Sequence, residues 1–311
     1  MAFFDTSAFN NCFTNTQNTQ ESTTSSTTTS SIPSNPYITQ TQTTAHEEAL
    51  PVCFNSNTGV AFVDLVLNSR PIPGSNVVVE IIGKRGCGKT ETLFAIVATK
   101  LVEMYTNSSK TATVPSATPI LFFDLDCKLD PLRLLLLVRS KILSSNEIRA
   151  QDKSNDSFVD ELVLRCAANL HIFQPQNSIH FLAILESVKQ QIPQFRAVLL
   201  LIDSLSAFNN NNIFLDSLTA NNSLSGQNDV FFSLKHILEN NSSVSVIATK
   251  SNNRYCEAWS KMVNFQIALS EVENVGGGGK TRFVTDNNNS FEIGNEGVKV
   301  VAGQVVDGVD V

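Results

Sequence analysis

The sequence is poor in charge: only 16% of its 311 residues are Asp, Glu, Lys or Arg, and 29 acidic residues outnumber 22 basic ones for a formal net charge of -7. A chain of that sign does not neutralise a phosphate backbone unaided, which excludes an autonomous basic nucleic-acid clamp as the default reading. Long apolar runs are also missing. The densest, Leu134 to Val138 and Ala197 to Ile202, fall far short of the roughly 20 residues of a membrane helix and read as core elements, so no membrane partner is expected. The six cysteines, Cys12, Cys53, Cys87, Cys127, Cys166 and Cys256, stand singly, without a CxxC pair or a His at zinc spacing. That pattern disfavours a disulfide framework and a zinc site. No Lys or Arg precedes Arg70, so the opening residues lack both the basic start of a signal peptide and the Arg-rich face of a mitochondrial presequence. A reducing compartment, cytosol or nucleus, is expected.

Hydrophobic residues make up 42% of the chain, enough for a substantial core. From about Thr14 to Thr44 the composition is Ser, Thr, Gln and Asn with scattered Pro, which cannot bury enough apolar surface to offset chain entropy. The expected organisation is a disordered tail over 1–45, a linker and entry segment over 46–73, one core over 74–302 and a short C-terminal tail over 303–311. Asn-rich tracts inside the core, such as Asn209 to Asn212 and Asn287 to Asn289, read as loops.

Within the core the apolar blocks alternate between the periods of strand and helix. Strands are expected at Val77 to Ile82, Pro119 to Asp124, His171 to Phe173, Ala197 to Ile202 and Val244 to Thr249. Helices are expected at Thr90 to Met104, Pro131 to Leu143, about Phe158 to Ala168, Ile179 to Gln191 and Val230 to Glu239. This order implies an α/β fold with a mostly parallel sheet covered by helices on both faces. After Val263 the blocks become short and alternating, from Asn264 to Ser270 onward, and read as a C-terminal antiparallel extension of the same sheet.

Gly83-Lys84-Arg85-Gly86-Cys87-Gly88-Lys89-Thr90 fits GxxxxGK[ST] at every fixed position, between a strand and a helix. The glycines let the backbone curl so that successive N–H groups and the helix N-terminus face phosphate oxygens, Lys89 reaches the outer phosphates, and Thr90 offers a hydroxyl to magnesium. ATP and Mg2+ are therefore the expected cofactors. Lys84 and Arg85 read more simply as solvent-facing charges. A magnesium-bound nucleotide also calls for a carboxylate at a neighbouring strand end, and the run Ala197 to Ile202 leads into Asp203. Hydrolysis needs a group that orients water. The strand ending at Asp124 delivers Asp124, Asp126 and Asp130 to that region, with Asp126 the best candidate and a capping or loop role the alternative.

These pieces, together with Phe122-Phe123-Asp124-Leu125-Asp126, Leu132-Arg133-Leu134 and Leu201-Ile202-Asp203-Ser204-Leu205-Ser206-Ala207-Phe208, resemble the RecA/Rad-type recombinase core over residues 70 to 302. Within that family the chain looks most like the X-ray repair cross-complementing paralogues without a helical N-terminal domain. Tyr255-Cys256-Glu257-Ala258-Trp259-Ser260-Lys261-Met262-Val263 and Ile293-Gly294-Asn295-Glu296-Gly297-Val298 add to the likeness. The resemblance implies a RecA-like P-loop NTPase core, a nuclear accessory subunit of homologous recombination and double-strand break repair, and a heteromeric complex with another recombinase paralogue that supports the main recombinase on single-stranded DNA. Where the family carries a catalytic Glu this chain has Asp126, one methylene shorter, so the resemblance implies weak ATP hydrolysis. Where the family senses the γ-phosphate with Gln, Lys250 stands. Only about Ser251 to Glu257, with the single Arg254, remain for a DNA loop, and the N-terminal segment has no Phe-x-x-Ala docking motif. DNA contact is therefore expected mainly through the complex.

Two rival readings remain: a self-sufficient DNA-stimulated ATPase built on Lys89, Thr90, Asp126 and Asp203, and a small-molecule P-loop kinase, against which the lack of an Arg-rich lid counts. Trp259 and Tyr255 beside Arg254 could stack on bases, but a lone Trp is more simply core packing.

Overall fold

The computed structural model describes residues 58–69, 76–110, 118–195, 197–208, 226–251, 257–272, 282–285, 290–294 and 297–300. The chain divides into two units, 1–47 and 48–311. The expected tail over 1–45 and the end segment over 303–311 lie outside the described residues, and the fold is that of the second unit.

An entry helix, α1 (Ala61–Ser69), precedes the first strand. Thr58 donates its amide and hydroxyl hydrogens to Asp64 Oδ1 at 2.7 and 2.6 Å, closing the first turn. The chain enters through Gly59, whose φ of +77° and closeness to Thr99 leave no room for a Cβ. Val60, Phe62 and Val63, within the linker and entry segment, are buried in the main core.

β1 (Val77–Gly83) feeds the phosphate loop and α2 (Lys89–Lys110). β2 (Ile120–Asp124) leads to α3 (Pro131–Ser144), which starts behind Asp130: that carboxylate accepts the Leu132 and Arg133 amides, and Pro131 needs no donor partner at the first helical position. After the short α4 (Ala150–Lys153), α5 (Asp156–Ala167) is capped by Asn155. β3 (Leu170–Phe173), α6 (Ser178–Gln191), β4 (Val198–Asp203), α7 (Gly226–Asn240) and β5 (Val244–Lys250) complete the alternation. A four-residue helix α8 (Glu257–Ser260) precedes β6 (Phe265–Val272), β7 (Arg282–Thr285), β8 (Ser290–Gly294) and β9 (Gly297–Val300).

The strands form one sheet in the order β3-β2-β4-β5-β1-β6-β7-β8-β9. Its first six strands, from β3 to β6, are all parallel, and β7 to β9 are antiparallel. One expectation is corrected here. β6 does not open the antiparallel extension but runs parallel to β1, because the chain crosses from β5 past β1 through α8 instead of turning back in a hairpin. The extension begins at β7.

Alternation along the strands divides the core. Val79, Ile81, Leu199, Leu201, Ile247 and Ile267 pack with α1, α2, α3 and α5 on one face. On the other, Phe123 meets Phe173 and Phe181 at ring distances of 5.1 and 5.2 Å, and Phe231 of α7 meets Trp259 at 5.9 Å. Trp259 is 1% exposed and is a core residue, not a stacking platform. The architecture is that of a RecA-like α/β core. Among the described residues no helix is long and apolar enough to cross a membrane.

Candidate functional site

Register places the chemistry at one end of the sheet. Asp124 and Asp203 close β2 and β4 side by side, Lys250 of β5 lies beside Ile82, and Gly83 of β1 lies beside Leu269 of β6. Ligands of open α/β sheets bind outside these carboxyl ends.

The loop after β1 takes the curled form that its glycines permit. Gly86 and Gly88 adopt φ of +86° and +88°, a region that costs a side-chain-bearing residue roughly 1–2 kcal/mol. A Cβ on Gly83 would come within 2.4 Å of Cys87 Sγ and 2.5 Å of the Leu269 carbonyl oxygen, so the loop closes tightly on β6. Lys84 and Arg85 are exposed. Cys87 is buried beneath the loop, and burial pushes its thiol pKa up although the Lys89 ammonium acts the other way. Lys89 is 8% exposed and its ammonium lies across the loop, donating to the carbonyls of Gly83 and Lys84 at 2.8 and 2.7 Å with Cys87 Sγ at 3.8 Å.

Thr90 and Asp203 come together. The Thr90 hydroxyl donates to Asp203 Oδ2 at 2.6 Å, and the Thr249 hydroxyl donates to Asp203 Oδ1. Asp203 is 4% exposed. Burial pushes its pKa up, the two hydroxyl bonds act against that, and the nearby Asp126 and Asp124 carboxylates add to it. A hydroxyl and a carboxylate are hard oxygen donors of the kind magnesium takes one or two at a time beside phosphate oxygens and water. The pair therefore fits a magnesium-bound nucleotide, with Lys89 and the loop amides on the phosphate side.

Of the three carboxylates at and beyond the end of β2, two are committed to backbone. Asp124 accepts from the amides of Lys128 and Leu129, each at 3.0 Å, and from Gln174 Nε2 at 2.9 Å; Asp130 caps α3. Asp126 is carried next to Asp203 by a turn whose Leu125 and Asp126 amides donate to the Asp203 carbonyl at 2.7 and 3.4 Å. Its side chain pairs with Lys128 at 2.6 Å and is 21% exposed. The residues ranked by sequence thus converge on one corner, with Asp126 the carboxylate not tied to backbone. Arg254 and Tyr255 lie outside the described residues.

Three features escaped the sequence reading. Thr249 completes the support of Asp203. Arg133 of α3 holds Glu91, next to Thr90, at 2.9 Å and so ties α3 to the first turn of α2. Glu80, a single charge within the apolar run of β1, is 3% exposed and bonds to the indole of Trp259. The signal for the last was available, since a lone acid in a buried strand must find donors elsewhere.

The fold and site define a RecA-like α/β core with a P-loop at the sheet's carboxyl edge. No family model matches the chain. The DNA repair protein XRCC2 homolog of Arabidopsis thaliana is 25% identical over 195 residues, which are 56% of this chain and 50% of that protein. The chain thus spans about half the length of the curated relative it matches.

Proposed function

We propose that this chain is a nuclear recombinase paralogue, an accessory subunit of homologous recombination and double-strand break repair that binds ATP with magnesium and acts within a complex containing another recombinase paralogue. The observation that carries the reading is the Thr90–Asp203 pair beside the Lys89 loop at the end of the six parallel strands of the sheet, in a chain similar to a DNA repair protein. Bound nucleotide would supply the charge and magnesium that draw Lys89, Thr90 and Asp203 into one constellation. Gly83, Gly86 and Gly88 let the loop amides approach phosphate, and Lys89 neutralises its outer oxygens. A partner paralogue would bind through the edge and faces of the sheet, in whose strand order β3 stands last on the parallel side. The net charge of -7 supports single-stranded DNA contact mainly through that partner. Affinity purification of the tagged chain from cells tests the reading: a recombinase-type P-loop protein should co-purify in near-stoichiometric amount, and a chain recovered alone refutes the assembly.

The adjacency of Asp126 to Asp203 favours a second reading, a self-sufficient DNA-stimulated ATPase. Phosphate-release assays on the isolated chain separate the two. Slow turnover without response to DNA is expected of the accessory subunit, because Asp126 is short and ion-paired with Lys128.

A further inference from the structure

On the face of the sheet away from α2, one buried carboxylate gathers partners from three segments. Glu80 lies on β1, three residues before Gly83. Its Oε1 accepts from the Trp259 indole at 2.8 Å and faces Lys250 Nζ at 3.5 Å, and its Oε2 accepts from Gln266 Nε2 at 2.6 Å. These partners come from α8, the last residue of β5, and β6. Glu80 and Trp259 are 3% and 1% exposed and Phe231 packs against the indole, while Lys250 is half-buried and Gln266 exposed, so the carboxylate itself is the shielded member of the cluster.

β5 ends in two residues that face opposite ways. Thr249 donates to Asp203 at the magnesium corner, while Lys250 faces Glu80. A displacement of the Asp203 corner that crossed the sheet would have to pull Lys250 from Glu80, leaving a buried carboxylate without its cation, which is strongly disfavoured. A ligand moves an equilibrium only by its differential affinity for the two arrangements. Glu80, Trp259 and Gln266 lie on the face opposite the Thr90–Asp203 pair, where a nucleotide would make no compensating contact.

We propose that Glu80 and Lys250 form a latch that holds the end of β5 and α8 in one arrangement whether or not nucleotide is bound, so that occupancy of the phosphate loop does not reach Trp259. The ligand arm of this proposal rests on the nucleotide-binding reading above; the latch itself does not.

Trp259 is the sole tryptophan, so the full chain labelled with nitrogen-15 gives one indole N–H resonance. Wild type, Lys250→Met, Glu80→Gln and Lys250→Arg are titrated with magnesium ATP, binding is read separately by calorimetry, and indole hydrogen exchange is measured without nucleotide. The wild-type resonance stays in place at saturation and the Lys250→Met resonance moves. Without nucleotide, exchange quickens about tenfold or more in Lys250→Met and Glu80→Gln, as loss of a charge-assisted contact requires, and Lys250→Arg restores the wild-type rate. A wild-type resonance that moves with nucleotide overturns the proposal. So does a Lys250→Met resonance that stays in place while nucleotide binds, or exchange as slow in both neutral variants as in wild type. If calorimetry detects no nucleotide, the nucleotide-binding reading fails, and the exchange rates alone decide for or against the latch.

Discussion

Asp203→Asn separates what the site does for the fold from what it does for a ligand. In the nucleotide-free protein the Asp203 carboxylate is penalised by burial and by its neighbours Asp126 and Asp124, and only the Thr90 and Thr249 hydroxyls compensate. Asparagine keeps an acceptor for Thr249 and removes the charge. The expected result at pH 7 is a gain of about 1 kcal/mol, or about 2 to 4 °C in Tm for a domain of this size. The sign of the pH dependence follows from the raised pKa. A carboxyl that titrates higher in the folded state than in the unfolded one costs stability above its folded pKa, and the cost is relieved as pH falls through that value. The advantage of the variant should therefore shrink on acidification. Magnesium ATP affinity should move the other way, weakening about tenfold or more, since a charge-assisted contact is worth roughly 1.5–3 kcal/mol. Thermal melts from neutral pH downward and calorimetry with magnesium ATP read both effects. A variant less stable at pH 7, or one that binds magnesium ATP as tightly as wild type, refutes the reasoning.

Lys89→Ala removes the ammonium that lies across the loop, so on the nucleotide-binding reading triphosphate affinity should fall about tenfold or more by calorimetry; an unchanged affinity in the folded variant marks the loop as vestigial. Phe62→Ala empties a site 2% exposed in the main core and should cost about 3–5 kcal/mol in urea unfolding. A loss within the range of a surface substitution would place the entry helix outside the cooperative unit. Deleting residues 1–45, whose composition lacks a core, should leave Tm and partner binding as they are, and loss of binding on deletion would show that the tail folds against the partner.

Much of the site was legible because its parts are local. The phosphate loop is an eight-residue string between a strand and a helix, and Asp203 closes an uninterrupted apolar run. The parallel sheet followed from the same alternation. What escaped depends on juxtaposition across the sheet. Thr249 gains its role only because β5 lies beside β4, and Glu80 finds Trp259 and Gln266 across 179 and 186 residues of chain. The direction of β6 was misread for a related reason: short alternating strands carry no mark of whether the chain has crossed over a neighbour or turned back. α1 was passed over because its apolar residues stand in a short segment next to a polar tract.

The most direct measurement of the central claim is fluorescence anisotropy of labelled single-stranded DNA across a salt series, made on the isolated chain and on the complex recovered through its tag. The acidic chain offers a single Arg254 in the short segment after Lys250, so it should bind poorly alone, whereas the complex should bind well and lose affinity steeply with log salt. Arg254→Ala should change that slope by at most about one unit. An isolated chain that binds as tightly, with a slope as steep as that of the complex, contradicts the accessory role and favours a self-sufficient ATPase.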